Sequence, residues 1–401
     1  MSDLKPVEDW ATDYDIFDKA YIENPFPIWK QLRQQCPIAH TERWGGSWLP
    51  TKYEDLQTFV KMVPVLSSKD PLVVPALEPE EDLPEGYSTD APPITSDPPE
   101  QIPIRRLILP FFTPKAVEPH RAFTEKLCND LIDGFIEKGE CDGAVQYAQQ
   151  IPSLVIGHLL GVDPERNDEF VSWVRGVLEI GLMDPEVRQK YRRIIRDFFY
   201  DLVAERRANP GEDLISQLIE KELDGKPVDD RTLVGMCNLL LVAGIDTTWS
   251  SIGSAIWHFA SHPEDRRRMA TEPDLWPSAI EELLRYYSPV TMARVVQEDV
   301  QAGDVTFKEG DKVLMNFPAA NHDPEMFDRA DEVVLDREKN RHIAFGVGIH
   351  RCAGSNLARM EMDIALRTWF KRIPEFELTD ASAVTWAGGQ VRGPRNIPIR
   401  F

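Results

Sequence analysis

One cysteine near the end of the chain lies in a setting that favours a thiolate ligand. Cys352 stands in the glycine-rich stretch F-G-V-G-I-H-R-C-A-G, residues 345–354, and an apolar repeat with helical spacing begins directly after it. Unpaired N–H groups and the positive end of a helix dipole would lower the pKa of a thiol at that position. The glycines allow sharp turns and a close approach of the backbone to a large flat group. These residue types therefore predict a soft anionic ligand beside such a group.

Two other interpretations of this stretch stay open from these residues alone. A single cysteine ahead of a helix is commonly a small buried residue without chemistry. His350 and Cys352 would also suit zinc, but structural zinc sites use four nitrogen or sulfur ligands in paired spacings. Zinc is the weaker interpretation because the remaining cysteines are scattered singly, at Cys36, Cys128, Cys141 and Cys237.

A carboxylate and a hydroxyl lie in the middle of the most apolar helix that the sequence predicts. That helix runs from about Asp229 to Ser261, and its segment L-L-L-V-A-G-I, residues 239–245, is apolar on every side, which is typical of a buried helix. Asp246 and Thr247 follow directly, and burial of an unpaired polar group costs several kcal/mol. One interpretation is a local kink with the hydroxyl bonded to the preceding turn. The other is a proton relay beside a diatomic ligand, for which Gly244 leaves room.

Together the two patterns resemble the cytochrome P-450 family, the haem-thiolate monooxygenases. The first is similar to that family's haem-binding loop F-G-x-G-x-H-x-C-x-G, and A-G-I-D-T-T, residues 243–248, is similar to its oxygen-activating motif. The resemblance implies haem b with Cys352 as its iron ligand. It implies O₂ activation with Thr247 as proton donor and Asp246 as the supply of that proton. It also implies that further haem contacts come from Phe345, Gly346, Gly354, Ala243 and Gly244.

A second acid in the sequence belongs to a motif that would support the haem loop. Glu282 and Arg285 resemble the family's E-x-x-R motif, which implies a buried network completed by Arg337. A bidentate network of this kind would hold the loop that carries Cys352. From the spacing alone, a Glu–Arg pair at i, i+3 is commonly a modest surface pair.

The haem propionates of the resembled family need cationic partners. The residues at the corresponding places are Arg105, Arg294 and His342. On the helix of Arg105, Gln101 stands where many relatives have histidine, and Pro103 interrupts the run. We therefore expect Arg105 to make the propionate contact of this helix alone.

The predicted substrate pocket is largely apolar. By family position it includes Leu240, Ala243, Val290, Thr291 and Met292, with parts of 70–92 and of the turn 176–186. The Pro-, Glu- and Asp-rich segment 69–99 is typical of a surface loop, but loops of that length are often functional. An apolar pocket favours a small hydrophobic substrate, with terpenoids or aromatics first.

The composition limits the classes of partner and the compartment. Of the 401 residues, 42% are hydrophobic, and the formal net charge is -22, which argues against nucleic acid and anionic membrane surfaces. The polar start of the chain has no apolar signal region, and no run approaches the ~18 apolar residues of a membrane span. Five unpaired cysteines fit a reducing cytoplasm.

The elements that must position these residues are mostly helical. The pattern predicts a mainly α protein with small β-hairpins (α+β), in one large domain over 1–401, around the long buried helix. Residues 39–51 predict a hairpin and 295–316 predict short strands. Lys190, Arg192, Arg193 and Arg196 are interpreted as the solvated face of a basic helix.

Electrons for such a monooxygenase are expected from outside, because the chain has no segment typical of a flavin or iron–sulfur domain. The expected partners are a ferredoxin and its reductase, which would dock on a basic patch of Arg106, Lys115, Arg351 and Arg359. Rival hypotheses are an H₂O₂-driven peroxygenase, a non-catalytic haem sensor, and a protein in which Cys352 is structural without haem. The Asp246–Thr247 pair argues against the first two.

Overall fold

Helices form most of the molecule in this computed structural model, which describes residues 5–78, 80 and 83–401. Residues 79, 81 and 82 of the predicted pocket loop lie outside the described residues. Within the described ranges the α-helices are α1 Trp10–Asp13, α2 Lys19–Glu23, α3 Phe26–Gln35, α4 Tyr53–Phe59, α5 Gln101–Ile108, α6 Pro114–Val117, α7 Arg121–Asp133, α8 Gln150–Leu159, α9 Asn167–Leu178, α10 Ile180–Met183, α11 Pro185–Ala208, α12 Leu214–Ile219, α13 Asp230–Ser261, α14 Pro263–Thr271, α15 Trp276–Tyr286, α16 Phe317–Ala320 and α17 Ser355–Arg372.

The strands are short and form small sheets at the edge of the helical body. They are β1 Ile38–Thr41, β2 Ser47–Pro50, β3 Leu66–Ser67, β4 Glu140–Asp142, β5 Glu222–Leu223, β6 Lys226–Pro227, β7 Met292–Val296, β8 Val300–Ala302, β9 Val305–Phe307, β10 Lys312–Met315, β11 Glu377–Leu378, β12 Thr385–Ala387, β13 Gly393–Asn396 and β14 Pro398–Arg400. The largest sheet has the order β1-β2-β10-β7-β3. The expected mainly helical class with small hairpins is confirmed, as is the hairpin of β1 and β2.

The central helix α13 has the bounds that the sequence predicts. The Asp229 carboxylate caps it by accepting a hydrogen bond from the Thr232 N–H at 2.9 Å, and Pro263 follows its last residues. Helices α8, α9, α11 and α17 pack around it. The helix is long and apolar enough to cross a membrane, but 67% of its most apolar window is buried inside the protein. Its length and apolarity are therefore those of a core element.

The basic helix α11 corrects one expectation from the sequence. Lys190 and Arg193 are exposed, but Arg196 is buried and donates to Glu80 at 2.6 Å, and Arg192 lines the main cavity. The prediction of one solvated cationic face is therefore wrong for half of these residues. The reason is that α11 packs against both α9 and α13, so little of its circumference is left for solvent.

Candidate active site

A cavity of about 520 Å³ is lined by the cysteine loop and by the middle of α13. That volume is in the range of small-molecule sites. The sequence places these two segments about a hundred residues apart, and packing of α13 against α17 brings them together. The apolar lining includes Ile108, Phe112, Leu240, Ala243, Leu284, Val290, Met292 and Phe317.

The cysteine loop presents Cys352 to this cavity. The Cys352 N–H donates to the Phe345 carbonyl at 2.8 Å, which closes the loop. Gly346 has φ of 65° and Gly348 has φ of 75°, a left-handed conformation in which a side chain would be strained. At Gly354 a Cβ would lie 4.0 Å from the Cys352 sulfur. The glycines therefore allow a tight loop in which no side chain at residue 354 crowds the Cys352 sulfur.

The pKa of Cys352 differs from the expectation. The thiol faces the cavity, yet protein surrounds it, and this burial raises its pKa. A hydrogen bond from Gly354 and the charges of Arg105 and Arg351 lower the pKa by less. The predicted lowering is therefore wrong for the protein chain alone, because burial outweighs these favourable contacts. A cationic metal at the sulfur would favour the thiolate outright.

Two arginines at one edge of the cavity have no acid partner among the described residues. Arg294 is 4% exposed, and its side chain donates to the adjacent Ala293 carbonyl at 2.8 Å. Arg105 donates to the Arg351 carbonyl. Burial lowers the pKa of Arg294 to about 10. The charge of Asp97 raises the pKa of Arg294 by less than burial lowers it. A buried guanidinium without an ion-pair partner is costly, so this part of the cavity is suited to an anionic group.

His350 joins these arginines, although the sequence predicted His342. The Nε2 atom of His350 is buried without a hydrogen-bond partner in the described structure, and the residue lines the cavity. Burial and the charges of Arg294 and Arg105 lower the pKa of His350 to about 4. The signal that could have found it was its place in the loop motif itself, two residues before the cysteine.

The predicted propionate contact of His342 is corrected by the structure. His342 Nε2 lies 2.8 Å from the Glu281 carboxylate, which also accepts two hydrogen bonds from Arg359, at 2.5 and 2.8 Å. His342 is absent from the described cavity lining. Its ring is therefore committed to an ion-pair cluster beside the loop, and that cluster removes Arg359 from the free basic surface.

The departures at Gln101 and Pro103 have a structural account. Gln101 is 1% exposed and its amide donates to the Ile349 carbonyl at 2.9 Å, which joins α5 to the cysteine loop. Pro103 lies in the first turn of α5, where backbone N–H groups have no partner within the helix, so the helix continues. With Gln101 committed to this contact, Arg105 supplies the cation that α5 brings to the cavity.

These observations test whether the residues fit a haem. The cavity lining includes Cys352, residues from the middle of α13, and Arg105, Arg294 and His350. The two arginines without ion-pair partners and the unpaired His350 nitrogen suit propionate carboxylates, and the sulfur suits the iron. The donor set therefore fits haem b.

On α13, the acid and the alcohol face different surroundings. Thr247 lines the cavity, and its hydroxyl donates to the Ala243 carbonyl at 2.8 Å, so the back-bonded arrangement is present at the cavity wall. Asp246 is 2% exposed and lies outside the described lining. Its carboxylate is 2.8 Å from Arg395, and burial raises its pKa while Arg395 opposes that rise.

The path from Asp246 leads toward the surface through ion pairs. Arg395 also donates to Glu179 at 2.9 Å, and Glu179 pairs with Arg175 at 2.8 Å. Glu179 follows α9, and Arg395 is on β13, so elements distant in sequence meet here. The Ser250 hydroxyl is 3.3 Å from Asp246. A buried carboxylate thus connects to a partly exposed charged chain.

Gly244 lines the cavity, as a residue that leaves room beside α13 should. A Cβ at this position would lie 2.7 Å from Cδ1, the end of the Ile156 side chain on α8. Ile156 therefore takes up part of the space beside the glycine, and the prediction that Gly244 leaves room for a diatomic ligand stays a prediction.

Four of the five predicted substrate-pocket residues line the cavity, and Thr291 does not. Leu240, Ala243, Val290 and Met292 belong to the lining. Thr291 is 6% exposed, and its N–H donates to the Gln390 carbonyl at 3.0 Å. Alternate residues of an extended segment point to opposite sides, which separates Thr291 from both neighbours. Parts of 70–92 line the cavity as expected, as do Val177 and Leu178.

The predicted support network surrounds Glu282, which is 0% exposed. Arg285 donates to both of its carboxylate oxygens at 2.8 Å, and Arg337 donates at 2.8 Å. The Val334 N–H donates at 2.8 Å and Asn340 at 3.2 Å. This network ties α15 to the chain that leads into the cysteine loop.

Comparisons with known proteins agree with this geometry. The family model described as "Cytochrome P450" matches residues 180–381. Cytochrome P450 107B1 of Saccharopolyspora erythraea is 32% identical over 395 residues, which is 96% of each chain. The 6-deoxyerythronolide B hydroxylase of the same organism is 33% identical over 393 residues, 94% of this chain and 96% of that protein. The solved structure of the Bacillus subtilis polyketide synthase cytochrome P450 PksS has a TM-score of 0.86 at 29% identity, and covers 96% of this chain and 99% of its own.

Proposed function

The chain belongs to the cytochrome P450 family of haem-iron monooxygenases, and from that premise we propose that it oxidises a small, largely apolar organic substrate by hydroxylation or oxidative dealkylation. Haem b and O₂ are the cofactor and co-substrate of the family. The observation that carries the proposal is the juxtaposition of Cys352 and Thr247 in the lining of one apolar cavity.

The residues of the loop would hold the cofactor. Cys352 would bind the iron, with Arg105, Arg294 and His350 at the propionates. When bound, haem b supplies the redox-active iron at which O₂ is reductively activated, with electron density donated by the thiolate. The glycine conformations at 346 and 348 support a flat group against the loop backbone.

Two residues of α13 would deliver protons to the cavity. The Thr247 hydroxyl can rotate from the Ala243 carbonyl to donate into the cavity, since that bond is its only one to a described residue. Asp246 would renew the proton, because its raised pKa favours a carboxyl that both takes up and releases protons. Arg395 and Glu179 would connect it toward solvent.

The substrate would pack against apolar side chains. Leu240, Val290 and Met292 line the space between α13 and β7. Terpenoids and aromatic compounds suit such walls because burial of apolar area is the main favourable contribution there. The relative named as a 6-deoxyerythronolide B hydroxylase supports hydroxylation as the reaction type.

An external ferredoxin with its reductase is the electron source that we propose, acting in the cytoplasm. Arg106, Lys115 and Arg351 are exposed around the cysteine-loop side of the molecule. Apolar side chains are exposed on the same segments, with Ile102 at 40%, Leu109 at 38% and Ile349 at 37%. A basic rim around apolar residues suits an acidic partner, although the whole chain carries a charge of -22.

The docking proposal is tested by charge reversal. Arg106→Glu and Lys115→Glu should each slow the first electron transfer from the native ferredoxin, more strongly at low salt, with unchanged substrate affinity. Lys308→Glu is the control, because Lys308 pairs with Asp299 in a separate hairpin. Stopped-flow reduction rates that are unaffected by both reversals would exclude this patch.

Cys352→Ser tests the proposed function itself. The hydroxyl is a poor replacement for a thiolate, so the reduced CO complex should lose its thiolate-type Soret band and turnover should stop. The absorption spectrum of purified wild-type and variant protein measures this directly. Cys237→Ser, in a buried position of α13, controls for loss of any cysteine. A variant at 352 that keeps the wild-type spectrum would refute the assignment.

A further inference from the structure

Arg192 occupies an unusual position for a cation of the long helix α11. It lines the same cavity as Cys352, beside Gln189, Asn238 and Thr89. Its Nη2 donates to the Thr89 carbonyl at 3.0 Å, and no carboxylate forms an ion pair with it among residues 5–78, 80 and 83–401. Burial lowers the pKa of Arg192. The guanidinium therefore retains unused N–H donors next to an apolar cavity.

The acids near Arg192 are paired with other cations. Asp70 lies 2.7 Å from Lys312, Asp90 lies 2.8 Å from Arg231, and Glu80 lies 2.6 Å from Arg196. Glu78 also lines the cavity, but its side chain is exposed to solvent. The charges of these three paired carboxylates raise the pKa of Arg192 by less than burial lowers it, and none of the three forms an ion pair with Arg192.

A second cation lies next to Arg192 on the same helix. Arg188 precedes Arg192 by one helical turn on α11 and is 2% exposed. Its Nη2 donates to the Pro75 carbonyl at 2.9 Å, whereas Nε and Nη1 have no partner in the described structure. Arg188 lies outside the described cavity lining, so it acts on a ligand only through its charge. Two neighbouring cations that form no ion pair with any described carboxylate are costly to bury unless an anion joins them.

The cations that line the cavity therefore fall into two groups. Arg105 and Arg294, with the unpaired ring nitrogen of His350, are matched by the propionates that the family's cofactor would carry. Arg192 is left for the substrate. Resting on the proposed function, we propose that the enzyme selects substrates with an apolar body and one oxyanionic end, a carboxylate or phosphate, that pairs with Arg192.

The pairing would also orient the substrate. Arg192 and Cys352 belong to the same lining, and apolar side chains such as Leu240 and Val290 contribute much of the rest. A molecule held at its charged end would present its apolar part to the reacting centre. Arginine offers a planar fork that binds carboxylate or phosphate with two parallel hydrogen bonds, which fixes direction as well as affinity.

Binding calorimetry on the haem-loaded full chain tests the proposal. The probes are decanoate, 4-ethylbenzoate and phenyl phosphate, each compared with a neutral counterpart: methyl decanoate, methyl 4-ethylbenzoate and phenol. At least one acid should bind about tenfold or more tightly than its counterpart, since hydrogen bonds to charged groups are the stronger class. Arg192→Gln should remove that preference and leave the affinity of the neutral compound unchanged.

Two control variants and the absorption spectrum of the reduced CO complex distinguish the possible results. Lys190→Gln, an exposed position of the same helix outside the cavity lining, should leave the preference intact. Arg192→Lys keeps the positive charge but lacks the planar guanidinium, and it should retain part of the preference for acids. A normal absorption spectrum of the reduced CO complex shows that the haem–thiolate centre is present in each protein. An abnormal spectrum would count against the proposed function and not against the role of Arg192. With that spectrum normal, equal binding of acids and neutral compounds, no binding of any acid, or an unchanged preference in Arg192→Gln would overturn the proposal.

Discussion

Glu282 and Asp246 are two carboxylates with nearly the same burial and opposite surroundings. They are 0% and 2% exposed. Glu282 receives hydrogen bonds from two arginines, a backbone N–H and an asparagine amide, which together occupy both oxygens. Asp246 has Arg395 at 2.8 Å and the Ser250 hydroxyl at 3.3 Å.

The difference lies in how completely the negative charge is compensated. A carboxylate that accepts several strong hydrogen bonds fixes the elements that supply the donors. A carboxylate with one cation and a weak hydroxyl contact keeps a pKa that burial raises. The two carboxylates are nearly equally buried, but Glu282 is a framework group that holds neighbouring elements together, whereas Asp246 is able to exchange protons.

The largest expected effect follows from removing the charge of Glu282. Glu282→Gln leaves Arg285 and Arg337 buried without their counter-charge, so the free energy of unfolding should fall by about 3–5 kcal/mol. The cysteine loop should lose its support, and haem content after purification should fall as well. Urea unfolding and haem quantification measure the two effects.

The matched control for Glu282 is an exposed acid. Glu272 pairs with Arg268 at 3.2 Å on the surface, and Glu272→Gln should cost less than about 1 kcal/mol. Equal losses in the two variants would contradict the assignment of Glu282 as a framework group.

The second expected effect is on rate. Asp246→Asn keeps the shape and hydrogen bonding of the side chain but cannot exchange protons, so turnover should fall by about 10²-fold. Arg395 keeps Glu179 as a partner, so stability should change by much less than in Glu282→Gln. Steady-state rates and unfolding curves of the same preparation test whether the rate falls while the stability is largely kept. A rate that stays near wild type would remove Asp246 from the relay.

The smallest expected effect is a shift in pH dependence. The charge of Arg395 lowers the pKa of Asp246, so Arg395→Gln should raise that pKa further. The limb of the pH–rate profile that reports Asp246 should move to higher pH. Arg175→Gln, which reaches Asp246 only through Glu179, should shift it less. Movement of the limb to lower pH would show that Asp246 does not control it.

The two carboxylates also differ in how far their partners could be predicted from the sequence. The E-x-x-R spacing predicts that Glu282 and Arg285 share a helix face, and the structure places Arg337 with them. The partner of Asp246 could not be predicted in this way. Arg395 is on a C-terminal strand, and no spacing rule connects it to the middle of α13.

Other errors have the same cause. His342 and Thr291 are close in sequence to residues that do line the cavity, but side-chain direction depends on the local backbone. Arg192 was predicted as a surface charge because basic residues on a polar helix usually are. Packing of α11 against two other helices placed it at the cavity instead.

The sequence by itself determined the elements and the chemistry that are encoded over short spans. These include the mainly helical class, the bounds and cap of α13, the glycine loop that presents Cys352, and the acid–alcohol pair, because helical period, capping and glycine conformation act between near neighbours. Only the tertiary structure decided which cation compensates each buried acid, which face of α11 meets the cavity, and that Ile156 takes up part of the space beside Gly244. Those outcomes depend on contacts between elements far apart in the chain, and such contacts are set by packing as a whole.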